Sequence, residues 1–299
     1  MRIFLTGATG FIGTALIPQL HAAGHRIVGL TRSEAGARTL AEAGVEPHRG
    51  DLTDLDRLRA GAAQADGVIH TAFDHDDFSN FIANCEKDRR AIAALGDALA
   101  GSDRPLLITS GTGIGCPAPG VPATEDVFNA EHPNPRIASE LAGAALLEAG
   151  INVAVMRLPQ VHDTVKQGLV TYLIDLARRT GVSAYIGDGA NRWAAGPVRD
   201  VAHLYRLALE AAEPGVRYHA VAEEGVPARA LAEVIGRGLK VPVVSLTPGE
   251  AAEHFGWLAA FAALDMPASS AWTRSRLGWE PTGPGLIADL ERMDYARAT

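Results

Sequence analysis

The chain has two cysteines, Cys85 and Cys116, in 299 residues. They form no metal-type pair and no disulfide framework. Basic charge is also short. Lys and Arg number 27 against 35 Asp and Glu, a formal charge of -8. That balance argues against nucleic acid or an anionic membrane as partner, because their phosphates would be repelled. It does not exclude a small anionic ligand in a local basic pocket. No apolar run is long enough to span a bilayer. Met1 to Leu5 is too short, and too soon interrupted, for a secretory segment. A cytoplasmic protein is the expectation. No internal repeat and no Pro/Gly/Ser linker divides the chain.

What is present is a soluble-type composition, 47% hydrophobic and 21% charged, with length for a sizeable core. The chain opens M-R-I-F-L-T-G-A-T-G-F-I-G. The apolar run Ile3 to Leu5 enters glycines at Gly7, Gly10 and Gly13, which reads as a buried strand turning tightly into a helix. Such a turn lets backbone approach a phosphate, and the helix start offers N–H groups and a positive dipole end.

Helical stretches and strands then alternate. Strands are expected at Arg26 to Leu30, Glu46 to Arg49, Gly67 to Thr71, Pro105 to Thr109 and Asn152 to Arg157. Helices are expected at Ala15 to Ala23, Ala35 to Ala43, Asp54 to Ala62, Phe81 to Ala100 and Ile137 to Ala149. This order implies parallel crossovers, hence an α/β, Rossmann-type doubly wound sheet. Beyond Arg157 the pattern loosens. Val170 to Arg179, Val198 to Ala212 and Pro227 to Gly238 read as helices, Tyr218 to Val221 and Val241 to Ser245 as strands, and two helical stretches follow. The division expected is a dinucleotide-binding domain over 1–163, with 190–222 returning to it. A small mixed α/β substrate lobe takes 164–189 and 223–299, with the ligand cleft between the two.

Arg32 follows the second strand, where a dinucleotide fold faces the adenosine ribose. An acidic residue there suits the free 2′-hydroxyl of NAD; Arg suits the 2′-phosphate of NADP. NADP is therefore the expected cofactor, with NAD as the alternative. The bland alternative for Arg32 is a solvated surface residue. Asp51 is placed to accept from the adenine amino group, or else to cap the next turn.

Taken together, Gly7, Gly10 and Gly13, Asp51-Leu52, H-T-A at His70 to Ala72, R-L-P at Arg157 to Pro159 and S-R-L-G-W-E-P at Ser275 to Pro281 resemble the extended short-chain dehydrogenases/reductases. The last segment is similar to the C-terminal lobe of the NAD-dependent epimerase/dehydratase family. The resemblance implies a bound NAD(P) lying against Gly7, Thr9, Gly10, Phe11, Ile12 and Gly13, then Arg32, Asp51, Leu52, Thr71, Ala72, Phe73 and Pro159. It also implies a small-molecule substrate, and the pairing of relatives through two helices suggests a homodimer using Phe81 to Ala100 and Ile137 to Ala149.

The family carries Tyr-x-x-x-Lys on the helix after the fifth strand; the Lys lowers the Tyr pKa and binds the nicotinamide ribose. Here the matching positions are Arg136 and Glu140. No tyrosine precedes Tyr172, so no small shift of alignment restores the motif. Arg136 does not give up its proton near neutral pH. It is a candidate to bind a substrate carboxylate or phosphate, or to polarise a carbonyl. Glu140 is a candidate to accept from ribose hydroxyls.

The family's third catalytic group, a Ser or Thr, falls in T-S-G-T-G. Ser110 and Thr112 are the candidates, unless both hydroxyls bond their own backbone. A substitute proton donor is sought in F-D-H-D-D-F at Phe73 to Phe78. His75 is the candidate, because imidazole as a group can exchange protons near neutral pH and carboxylates flank it in sequence; a solvated acidic loop is the alternative. Asp74, His75, Asp76 and Asp77 are consecutive and point apart, so no metal site is assigned. His162, Tyr172 and Tyr185 are further candidates. Trp193 lines the substrate pocket or joins the core. Phe255, Trp257, Phe261 and Trp272 are expected to fill the core of the second lobe.

The leading expectation is an NADP(H)-dependent oxidoreductase acting on a small carbonyl or related substrate, with a non-standard proton donor. Its rivals are an NADP(H)-binding sensor without turnover, and an epimerase or isomerase that retains NAD.

Overall fold

A computed structural model describes residues 1–75, 80–118 and 120–296. Strands and helices alternate through the first half: β1 (Arg2–Thr6), α1 (Phe11–Ala22), β2 (Arg26–Thr31), α2 (Glu34–Glu42), β3 (Glu46–Arg49), α3 (Leu55–Ala63), β4 (Gly67–His70), α4 (Phe81–Asp97), β5 (Leu106–Gly111), α5 (Ile137–Glu148) and β6 (Val153–Leu158). The remainder gives β7 (Gln160–His162), α6 (Val170–Thr180), β8 (Ser183–Ile186), β9 (Arg192–Pro197), α7 (Val198–Ala211), β10 (Arg217–His219) and β11 (Glu223–Pro227). Then come α8 (Ala228–Leu239), β12 (Val243–Leu246), α9 (Pro248–Phe255), α10 (Ala259–Ala262), α11 (Ala271–Leu277) and α12 (Leu286–Arg292).

Seven strands form one sheet in the order β10-β6-β5-β4-β1-β2-β3. Every pairing in it is parallel. The strand order reverses between β1 and β4, and in such sheets ligands lie outside the carboxyl ends at that crevice. The expected Rossmann-type sheet is therefore present.

Alternation along the strands builds a core on each face. Ile3 and Leu5 of β1, Ile69 of β4 and Met156 of β6 pack with Leu16, Leu20, Val201 and Leu204 of α1 and α7. Phe4, Val68, Ile108 and Val155 pack oppositely with Leu58, Ile92, Leu95 and Leu146 of α3, α4 and α5.

A smaller sheet, β11-β9-β7, and the parallel pair β12-β8 complete the paired strands. A further core gathers Ile174, Trp193, Leu231, Ile235, Leu286 and Leu290. Two aromatic expectations need correction. Trp257 and Trp272 are 46% and 42% exposed, whereas Trp279 is buried, its indole N–H donating to the Asp200 carbonyl at 3.1 Å. The reason is local. Trp279 follows Gly278 at the end of α11 and turns inward onto α7, while Trp257 packs edge-on against Tyr172 at the surface.

Candidate dinucleotide and substrate site

The first turn is shaped by its glycines. Gly7 has φ +70°, and a Cβ there would stand 2.6 Å from Thr71 Oγ1 and 2.8 Å from Ala72 N. A Cβ at Gly13 would stand 2.1 Å from the Gly7 carbonyl oxygen. These two glycines let β1, the exit of β4 and α1 meet. Gly10 differs: it is exposed, and its missing Cβ would meet only the Gly7 carbonyl, at 3.1 Å. No side chain caps α1. The amides of its first turn have no acceptor within the helix and face outward at the reversal of strand order. These features fit the diphosphate of a dinucleotide, which would lie against Gly10, Phe11 and Ile12.

Thr9 is exposed, and Phe11 and Ile12 are half-buried at the same edge. On the other side of the crevice the Thr71 hydroxyl donates to the Thr6 carbonyl at 2.8 Å, and Ala72 N–H reaches Thr6 Oγ1 at 3.3 Å. Arg32 is exposed just past β2, its carbonyl accepting from Arg49 at 3.1 Å. Asp51 caps the following turn: its Oδ1 accepts from Thr53 N–H at 2.7 Å and the Thr53 hydroxyl at 2.6 Å. Those bonds hold its carboxyl below the ordinary value. Leu52 is half-buried beside it, and Pro159 sits between β6 and β7.

Arg136 and Glu140, the residues that the sequence matches to Tyr-x-x-x-Lys, are tied into the protein by ion pairs. Arg136 donates to Asp88 Oδ2 at 2.6 Å and to the Thr109 carbonyl at 2.9 Å, and also bonds Ser139. Its guanidinium lies 4.2 Å from the centroid of the Phe73 ring. Asp88 also accepts from Ser139 at 2.5 Å and pairs with His70 Nε2 at 2.9 Å. His70 Nδ1 is 2.7 Å from Thr6 Oγ1. A buried chain of polar groups thus runs from the glycine turn to the start of α5. Burial alone would raise the Asp88 carboxyl; Arg136, His70 and Ser139 together hold it far below the carboxylate range.

Glu140 is likewise closed. Arg157 donates to both of its oxygens at 2.8 Å, and Arg217 donates to Oε2 at 3.0 Å. Burial would raise this carboxyl too, but the Arg157 bonds and charge lower it. Arg157 is fully buried, and it also donates to the carbonyls of Thr124 and Val127, at 3.2 and 2.9 Å, with a terminal nitrogen 3.3 Å from His219 Nε2. Neither Arg136 nor Glu140 offers the cleft the free group that the sequence suggested.

At the exit of β5, Ser110 and Thr112 are both buried. Ser110 Oγ makes no bond of hydrogen-bonding geometry, though it lies close enough to Glu140 to help hold that carboxylate ionised. Thr112 Oγ1 reaches the Leu158 carbonyl of β6 at 3.4 Å, a distant partner and not its own loop backbone. Two residues that the sequence did not mark converge on the next position. The His132 ring bonds the Gly113 carbonyl, and burial lowers its pKa. A methyl group added at Gly113 would stand 3.8 Å from Met266 Sδ.

His75 is exposed, its ring centroid 4.9 Å from that of Phe73. Asp74 pairs with Lys87. Asp76, Asp77 and Phe78 lie outside the described residues, and among those described no group of acids, His and Cys could hold a metal ion. Trp193 is core, 3% exposed, with its indole N–H on the Leu264 carbonyl at 3.2 Å. His162 is buried against Asp289, 2.7 Å away.

Fold and turn together define an α/β protein of the dinucleotide-binding, Rossmann-like class with an added small mixed sheet. The chain belongs to the NAD dependent epimerase/dehydratase family, whose model matches residues 3–222. It is 47% identical to an uncharacterized protein of Schizosaccharomyces pombe, over 99% of this chain and 100% of that one. It is 28% identical to a 2-alkyl-3-oxoalkanoate reductase of Stenotrophomonas maltophilia, over 72% of this chain and 67% of that one. Its fold is similar to that of the UDP-glucose 4-epimerase of Thermus thermophilus solved with NAD, with TM-score 0.75 and 20% identity. The likeness covers 100% of both chains. Among the described residues no helix is long and apolar enough to cross a membrane.

Proposed function

We propose that this chain is an NADP(H)-dependent oxidoreductase acting on a small carbonyl or related substrate. The observation that carries the cofactor choice is Arg32, exposed at the exit of β2 where an acidic residue would select NAD. The similarity to an oxoalkanoate reductase supports the reaction class. The nicotinamide, when bound, supplies or accepts the hydride. The chain's part is to hold the diphosphate at Gly10, Phe11 and Ile12. It also presents Ser110 or Thr112 to the substrate oxygen at the exit of β5. With Arg136 and Glu140 committed to buried ion pairs, the proton comes from His75 or from water. Purified protein is expected to oxidise NADPH with some member of a panel of carbonyl, imine and enone compounds. Failure with every member overturns the reading.

A second reading is an NADP(H)-binding sensor without turnover. The same two ion pairs favour it, since they leave α5 with no proton donor. It requires NADPH binding without oxidation, and a protein partner retained in a cofactor-dependent way.

A further inference from the structure

One more element reaches the glycine turn, and it comes from beyond β7. The chain leaves His162, anchored on Asp289, and folds back at once. Asp163 Oδ1 accepts from the amides of Val165 and Lys166, at 2.7 and 2.8 Å, and Asp163 N–H donates to the Lys166 carbonyl at 2.9 Å. Beneath this loop Gln167 is fully buried. Its Nε2 donates to the Asp163 carbonyl at 3.0 Å, and its own amide donates to Thr171 Oγ1 at 2.9 Å. The main chain of Lys166 is therefore fixed from above and below.

The side chain leaves this bracket for solvent. Lys166 is exposed, and its ammonium lies 6.0 Å from the centroid of the Phe11 ring. Phe11 is the first residue of α1, at the uncapped helix start. Among the described residues no ion pair includes Lys166, whereas Lys87 is paired with Asp74. An ammonium at the outer range of a ring contact gains little from the ring itself. A phosphate oxygen placed on the amides of α1 would offer it much more, as a charge-assisted bond.

We propose that Lys166 donates to the diphosphate of the bound dinucleotide, closing over it from the side opposite the α1 amides. The inference rests on the dinucleotide reading of the glycine turn. It separates two cationic duties along the cofactor. Arg32, at the end of β2, meets the ribose end; Lys166, at the start of α1, meets the phosphates shared by NADP(H) and NAD(H).

The test is titration of NADPH and of NADH, followed by fluorescence at low and at high salt. The proteins are wild type, Lys166→Met and Lys166→Arg, each checked for an unchanged thermal midpoint. Lys166→Met is expected to weaken both cofactors by the same factor, about fivefold to thirtyfold at low salt. The loss shrinks as salt rises, and Lys166→Arg restores most of it. Equal affinity of Lys166→Met and wild type overturns the proposal. A loss confined to NADPH also overturns it, because Lys166 would then read the 2′-phosphate. If wild type binds neither cofactor, the dinucleotide reading itself fails, a result distinct from either of these.

Discussion

Arg157 and Glu140 are bonded twice, Nε to Oε1 and a terminal nitrogen to Oε2, both at 2.8 Å, with neither side chain exposed. The first residue stands one before the end of β6. The second stands at the position that the sequence resemblance assigns to lysine. The geometry is the planar fork that guanidinium and carboxylate share. Breaking one side of such a buried pair costs about 3–5 kcal/mol, since the other charge is left without a partner. Glu140→Lys, made together with Arg136→Tyr to rebuild the family motif, therefore sets a lysine against Arg157 and Arg217. The double variant is expected to lose at least that much stability, read as a lower urea midpoint. A variant as stable as wild type would show that the pair carries no such load.

On the proposed reading, Arg32 sets the choice between cofactors. Arg32→Ala is expected to weaken NADPH about tenfold, the loss of one charge-assisted contact to the 2′-phosphate, and to leave NADH unchanged. Parallel titration of the two cofactors reads this directly. Unchanged NADPH affinity would remove Arg32 as the phosphate ligand.

Acid sensitivity comes from His219. Its ring is fully buried, Nδ1 2.8 Å from the Ser269 carbonyl and Nε2 3.3 Å from an Arg157 nitrogen. Burial first, with Arg157 adding to it, pushes its pKa down to about 4, from 6.5. The folded state thus refuses a proton that the unfolded chain accepts. Stability is complete above about pH 6.5 and falls as pH drops towards 4, with a slope of about 1.4 kcal/mol per pH unit inside that window. Urea midpoints from pH 7.5 to 4.5 measure it. His219→Gln is expected to flatten the slope, and an equal slope in that variant would place the titration elsewhere.

The sheet was legible because its strands are apolar and evenly spaced. β1, β2, β4, β5 and β6 were each read within about two residues of their ends. Beyond β6, α6, α7, α8 and β12 were legible too, but four short strands were not. β7, β8, β9 and β11 carry sequences such as Gln160-Val161-His162 and Glu223-Glu224-Gly225-Val226-Pro227, short and partly polar. Their strand character comes from pairing with distant neighbours.

The site divides in the same way. The glycines announce their turn because their conformational need is local. The fate of Arg136 and Glu140 depends on Asp88, Ser139, Arg157 and Arg217, which only the folded chain assembles. One signal was available. Asp88 lies on the stripe of Asn84, Cys85, Ala91, Ile92 and Leu95 that α4 buries. An acid on a buried stripe demands a cationic or hydrogen-bonding partner.

The extended stretch from Asp265 to Ser269 is stitched along both margins. Met266 N–H donates to the Arg192 carbonyl and Ala194 N–H to the Met266 carbonyl, on the side of β9. On the other side, Ala123 N–H donates to the Pro267 carbonyl and Ser269 N–H to the Ala123 carbonyl. Peeling this stretch from β9 and from Ala123 would have to tear the seam. Its four backbone bonds would then need new partners in water. Within a stretch whose backbone is so held, Met266, unbranched and half-buried beside Gly113, keeps the adaptable side chain.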